Sequence, residues 1–174
     1  MNVRAAALAV ALAAACAGVR PAAPAWTFPD AFDATQIVSA SGDGPPMELV
    51  ASLRRRGGDY EVTLFDPVFG APLLSAAVRG GAHEVREIGP AIGHAGEARR
   101  LLDVLASVYG RAYPAPREDA TGASTLAYAI RLSEFGAPSG CTFPGRIDVT
   151  ASGGARVEVR TLEVTCPAPG SRDR

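Results

Sequence analysis

The chain has 174 residues, with 17 basic side chains against 18 acidic ones and a net charge of -1; every basic residue is Arg. That balance, with no basic face and no interleaving of aromatic and basic residues, argues against nucleic acid as a partner. The length allows one domain with a real core, and no apolar run is long enough to span a bilayer as a helix.

Met1 to Cys16 reads as an export signal ending in a lipidatable cysteine. Arg4 supplies a positive start, and Ala5 to Ala15 is an unbroken apolar run of signal length. Small Ala13, Ala14 and Ala15 precede Cys16. The pattern resembles a bacterial lipobox, which prefers Leu where this chain has Ala13. The alternative is an ordinary secretory signal cut near Ala15 or Ala23. On the lipobox reading residues 1–15 are removed and Cys16 carries the acyl chains of a membrane anchor, each buried methylene contributing about 0.8 kcal/mol. Residues 16–25 are then a Pro/Ala-rich tether. By analogy with proteobacterial sorting, Ala17 after the cysteine implies the periplasmic face of the outer membrane.

A single domain is expected over 26–168, with a disordered tail at 169–174. Trp26 to Phe32 suggests a short turn or helical piece, with Phe28 and Phe32 at helical spacing and Trp26 capping the core edge. Around Gly57-Gly58, a strong hairpin signal, Leu53 pairs with Val62 and Ala51 with Leu64 on an apolar face. The other face sets Arg56 opposite Asp59 and Arg54 opposite Glu61, so both faces agree on one register. Arg54-Arg55-Arg56 then reads as a solvated strand end, each exposed pair contributing about 0 to 1 kcal/mol. A second hairpin, Leu73 to Arg79 and Ala82 to Ile88 around Gly80-Gly81, pairs Ala76 with Val85 and Ser75 with Arg86. Between the hairpins, Asp66-Pro67-Val68-Phe69-Gly70-Ala71-Pro72 interrupts the ladder with two prolines.

Ala95 to Tyr109 carries apolar residues at three- and four-residue spacing, an amphipathic helix with Gly110 as its C-cap. Tyr113 to Ser124 reads as a polar connection, Leu126 to Leu132 as a strand and Phe135 to Gly140 as a loop. In the last hairpin Val149 meets Val157 and Ile147 meets Val159. A one-residue bulge near Arg160-Thr161 then restores parity for Val164, placing Phe143 opposite Val164 and Cys141 opposite Cys166. These two cysteines, left over once Cys16 is lipidated, are expected to form a disulfide. Pro144 suggests that this part of the strand is an edge. The fold class is α+β: a strongly curved antiparallel sheet, a half-barrel, closed by one amphipathic helix.

Catalytic chemistry has little support. His83 and His94 lack partners at metal or triad spacing, and no nucleophile elbow, zinc-helix motif or phosphate loop occurs. No enzyme activity, metal or cofactor is expected. A curved sheet under a helix can instead enclose an apolar cavity, with Leu53, Val62, Leu64, Ala76, Val85, Leu101, Leu105, Ile147 and Val159 as candidate lining. The same residues would equally line a filled core, giving an accessory lipoprotein of an envelope complex. Val68 and Phe69 are either a hydrophobic tip that meets membrane or a donor protein, or a loop folded back onto the core.

Several features together are similar to the LolA/LolB-like superfamily of lipoprotein-sorting proteins. They are a lipoprotein cysteine, a Gly58-Asp59-Tyr60 hairpin, the Asp66-Pro67-Val68-Phe69-Gly70 loop, one amphipathic helix, and Phe143-Pro144-Gly145-Arg146-Ile147 leading to a closing hairpin. The resemblance covers roughly Ile37 to Val164 and is nearer the LolB-like branch. It implies binding of acyl chains of lipid or lipoprotein cargo, a periplasmic carrier protein as donor, and a membrane contact at Val68 and Phe69. The chain departs from that branch in its slight N-terminal helix, in the short Tyr113 to Ser124 connection and in its cysteine pair. A shorter group of outer-membrane lipoproteins with a related half-barrel fits equally well.

Overall fold

Residues 25–42, 45–80, 82–88, 103–137 and 140–167 are described by the computed structural model of this chain. Its strands are β1 (Ala25–Thr27), β2 (Ala31–Ser41), β3 (Met47–Arg56), β4 (Asp59–Phe65), β5 (Pro72–Arg79), β6 (Ala82–Ile88), β7 (Ala112–Pro114), β8 (Ala120–Ser124), β9 (Tyr128–Gly136), β10 (Phe143–Ala151) and β11 (Arg156–Thr165). A helix, α1, occupies 103–109. Cys16, His94, Leu101, the start of the expected helix and the expected signal and tail lie outside the described residues, as does the His83 side chain. Nine strands form one antiparallel sheet in the order β6-β5-β4-β3-β2-β11-β10-β9-β8, and β1 pairs with β7 as a separate ribbon. The first and last strands of the large sheet, β2 and β11, therefore lie side by side at its middle.

Period-two alternation sets the inner face. Phe32, Ala34, Gln36 and Val38 of β2, Leu49, Ala51 and Leu53 of β3, and Ile147 and Val149 of β10 are all buried. One cross-strand row joins Ala34, Leu53, Val62, Ala76 and Val85; another joins Leu132, Ile147, Val159, Val38 and Leu49. Residues of β4 and β10, four strand spacings apart, line one cavity with α1. A flat sheet would hold those strands about 19 Å apart at ~4.8 Å per spacing, so the sheet is strongly curved. It stays open, with β6 and β8 as edges, and the described helix covers the middle of its inner face.

The β3–β4 hairpin has the predicted register throughout. Cys141 and Cys166 form the expected disulfide, with Cα atoms 6.2 Å apart. β11 shifts its register between Thr161 and Glu163 against β2, not against β10, leaving Leu162 as the extra residue, 60% exposed; the β10–β11 ladder ends at the Arg146–Arg160 pair, short of the expected Phe143–Val164 pair. In the second hairpin Ala76 pairs with Val85 as predicted, but an irregularity shifts Ser75 onto Glu87 instead of Arg86.

Other elements correct the expectations. Trp26–Phe32 is neither turn nor helix: it holds β1 and the start of β2, because the alternation beginning at Phe32 continues to Val38. Trp26 does cap the core edge, its ring 5.1 Å from Phe135 and 4.8 Å from Phe28. The polar stretch Tyr113 to Ser124 contains the end of β7 and all of β8. An edge strand needs no apolar alternation, and at Gly122 a Cβ would lie 2.6 Å from the Ile130 carbonyl oxygen. β9 continues to Gly136 where a loop was expected. Pro144 sits in an internal strand: β10 pairs with β9 from Phe143 to Ala151, and only its ladder with β11 starts later, at Arg146. There the Thr161 hydroxyl donates to the Pro144 carbonyl at 3.0 Å.

Candidate functional site

Beneath α1 the inner faces of β2, β3, β4, β10 and β11 converge. Leu53, Val62, Leu64, Ile147 and Val159 line this space together with Leu105 of the helix. Ala76 is buried in the same core, and Val85 packs against it from β6. Val38, Ala51, Val104, Val108, Tyr109, Val149 and Val157 complete the apolar wall, and Gln36 is its polar member. The free volume is about 20 Å³. That is room for about one water, far below the ~300 Å³ at which small-molecule pockets begin.

Gln36 escapes a hydropathy reading because it stands in an inward position of β2 and is 1% exposed. The Tyr109 hydroxyl donates to Gln36 Oε1 at 2.9 Å, and Gln36 Nε2 donates to Thr161 Oγ1 at 3.2 Å. Among the described residues no buried side-chain polar atom lacks a partner, as a low-dielectric interior requires. Burial pushes the Tyr109 phenol well above its ordinary value, opposed only in part by the bond to Gln36. The Tyr113 hydroxyl donates to the Val108 carbonyl at 2.7 Å, and burial raises that phenol too.

Arg55 corrects the picture of a wholly solvated arginine run. The parity that turns Leu53 inward turns Arg55 inward as well, and its side chain is 11% exposed. Its guanidinium donates to the carbonyls of Tyr109 at 2.9 Å, Phe28 at 3.3 Å and Gly57 at 2.8 Å, and lies 5.3 Å from the Tyr60 ring centre. One arginine thus fastens the end of α1 to the sheet and to the turn before β2. Its neighbours Arg54 and Arg56 point outward and both bond Asp33 on β2, at 2.9 and 2.8 Å, while Glu61 bonds Arg79. Partial burial opposes ionisation of Asp33, but the two guanidinium bonds outweigh it and hold the carboxyl below its ordinary value.

The β4–β5 loop is built to display its apolar residues. Asp66 Oδ1 accepts the N–H groups of Val68 at 2.8 Å and Phe69 at 2.7 Å. The Gly70 N–H bonds the Asp66 carbonyl, and the Asp66 N–H bonds the Ala71 carbonyl, both at 2.9 Å. Gly70 takes φ of 64°, a conformation that favours glycine. Val68 is 78% and Phe69 85% exposed, so the loop is not folded onto the core.

Among the described residues no three His, Cys, Asp or Glu side chains are placed to hold a metal ion. An open groove of about 690 Å³ runs along the outer sheet face past Ser39, Arg146, Asp148 and Glu158. Three of its charged side chains answer one another, Arg146 bonding Asp148 at 2.9 Å and Glu158 at 2.7 Å, and Glu48, Arg131 and Arg156 also line it.

No protein-family model matches the chain, and no curated protein matches it. Among solved structures it is similar to a LolA superfamily protein from Nitrosomonas europaea, with 9% identity and a TM-score of 0.49 over 82% of this chain and 89% of that one.

Proposed function

We propose that this protein binds the acyl chains of lipid or lipoprotein cargo in the apolar interior under α1, without catalysis, while a lipidated Cys16 holds it at the periplasmic face of the outer membrane. The observation that carries this reading is the wall itself. Five strands and a helix contribute aliphatic side chains to one surface, and its polar member, Gln36, is already hydrogen-bonded. Such a surface takes up hydrocarbon without directional contacts, at about 0.8 kcal/mol per buried methylene.

With about 20 Å³ free, an acyl chain enters only as α1 lifts from the sheet. The polar contacts that resist lifting include the Tyr109–Gln36 bond and the carbonyl bonds from Arg55 and Tyr113. Val68 and Phe69 then meet the bilayer, or a carrier protein that delivers cargo.

Native mass spectrometry of the full-length protein after gentle extraction should find co-purified lipid and an acylated N-terminal cysteine, and a fluorescent fatty acid should be taken up and displaced by unlabelled lipid. The small free volume favours a second reading, a filled accessory lipoprotein of an envelope complex. A lipid-free domain that takes up no fatty acid but retains a stable protein partner overturns the first reading in favour of that one.

A further inference from the structure

Four large apolar side chains left outside the core stand at one end of the sheet. Val68 and Phe69 are on the β4–β5 loop, Leu126 is in the β8–β9 turn and is fully exposed, and Met47 begins β3. The registers bring them to the same end. Met47 pairs with Ala40, Ala40 with Val157, Val157 with Val149, and Val149 with Ile130, four residues after Leu126. Phe65, just before the β4–β5 loop, pairs with Val50 near the start of β3.

The turns at this end carry little charge, and by sequence the β2–β3 turn adds Asp43. Residues 42, 45–46, 66–71, 125–127 and 152–155 contain one ionisable side chain, Asp66, and its Oδ1 is bonded within its own loop. The opposite end gathers Arg54, Arg56, Asp59 and Arg79. Both apolar tips are held by the same device. As Asp66 caps Val68 and Phe69, Thr125 Oγ1 accepts the N–H groups of Ala127 at 3.2 Å and Tyr128 at 2.9 Å, and the Thr125 N–H bonds the Tyr128 carbonyl at 2.7 Å. These bonds already pair N–H groups of both turns, which lowers the cost of bringing the turns against a bilayer.

The two tips are five strand spacings apart in the sheet, about 24 Å along its arc. Isolated apolar points so widely spaced match a flat, deformable surface; a protein pocket would call for one contiguous patch. We infer that this end of the domain docks end-on against a lipid bilayer, with Leu126 as a second insertion point beside the Val68–Phe69 tip and Met47 between them. The inference rests on the reading of Val68 and Phe69 as a bilayer contact and adds a second contact and an orientation.

Tryptophan placed at each point tests it. Phe69→Trp, Leu126→Trp and Leu162→Trp are made in the full-length protein, which is reconstituted as purified into phosphatidylcholine vesicles with brominated acyl chains. Leu162 is an exposed control on β11, six residues from that strand's start, or about 20 Å away. Emission from positions 69 and 126 should shift to the blue and be lost to bromine to a similar depth, beyond the change in the parent carrying Trp26 alone, and raised salt should not reverse it. Position 162 should stay unquenched. Quenching at 69 alone overturns end-on docking and leaves the single-loop contact standing. Quenching at neither overturns both and makes a protein the partner of these tips. Quenching at 162 to the depth seen at 126 overturns the orientation. Thermal melts matching the parent verify that each variant is folded.

Discussion

Arg55 donates to the carbonyl oxygen of Tyr109 at 2.9 Å, so a cation from the inner face of β3 holds the last turn of α1. The same guanidinium serves Phe28 and Gly57, joining three chain segments that are far apart in sequence. Replacing it leaves those carbonyls near the core without a charged donor.

Arg55→Leu is expected to cost about 2 to 4 kcal/mol of stability, measured by urea melts, and to speed hydrogen exchange in 106–109 more than in β10. Arg55→Lys should recover only part of the loss, because an ammonium lacks the planar fork that reaches several acceptors at once.

The Tyr109–Gln36 bond can be weighed by a double-mutant cycle. Tyr109→Phe and Gln36→Leu each strand a buried polar partner and should each cost about 1 to 3 kcal/mol. The double variant should lose clearly less than the two losses added together, since an apolar pair leaves no unpaired group between them. Strict additivity in urea melts would show that the bond contributes nothing to stability.

Alkaline pH should destabilise the fold through its buried phenols. Burial holds Tyr109 and Tyr113 above their ordinary value of 10.0. The unfolded chain releases those protons near pH 10 while the folded chain keeps them, so stability is whole below that pH and falls above it. Tyr109→Phe should flatten the fall in melting temperature above about pH 10.

The disulfide spans a sequence separation of 25 residues. In the chain-entropy account a loop of that size stabilises by about 3 kcal/mol. Cys141→Ser with Cys166→Ser, or reduction by dithiothreitol, should lower the melting temperature accordingly, and each treatment should have no effect on top of the other.

Val68→Ser with Phe69→Ser should leave the melt within about 0.5 kcal/mol of the parent, because neither side chain is packed. A lost cooperative transition would place them in the core after all.

Much of the sheet was legible because two independent patterns agreed. In β3–β4 the apolar alternation and the Gly57-Gly58 turn demanded one register, and in β10–β11 the apolar residues on both sides of Gly153-Gly154 did the same, Val149 meeting Val157 and Ile147 meeting Val159. β2 was not legible: Gln36 breaks its apolar row, and its partner β11 is more than a hundred residues away in sequence. Missing β2 also hid Asp33, and with it the true partners of Arg54 and Arg56. Arg55 was discoverable from Leu53 by parity alone, but three consecutive arginines look like a single solvated block. How much room remained inside could not be read at all, since aliphatic side chains have the same periodicity around a hollow and around each other.

The pairing of β2 with β11 also dictates when this chain can finish folding. Every earlier strand can be present and the seam down the centre of the sheet still lacks one side until residue 165 has emerged. A nascent chain therefore shows a long, unpaired β2 border, the kind of template on which other chains aggregate. A closure so distant in sequence makes the fold slow to assemble and leaves truncations near the C-terminus poorly tolerated, however little of the core they remove.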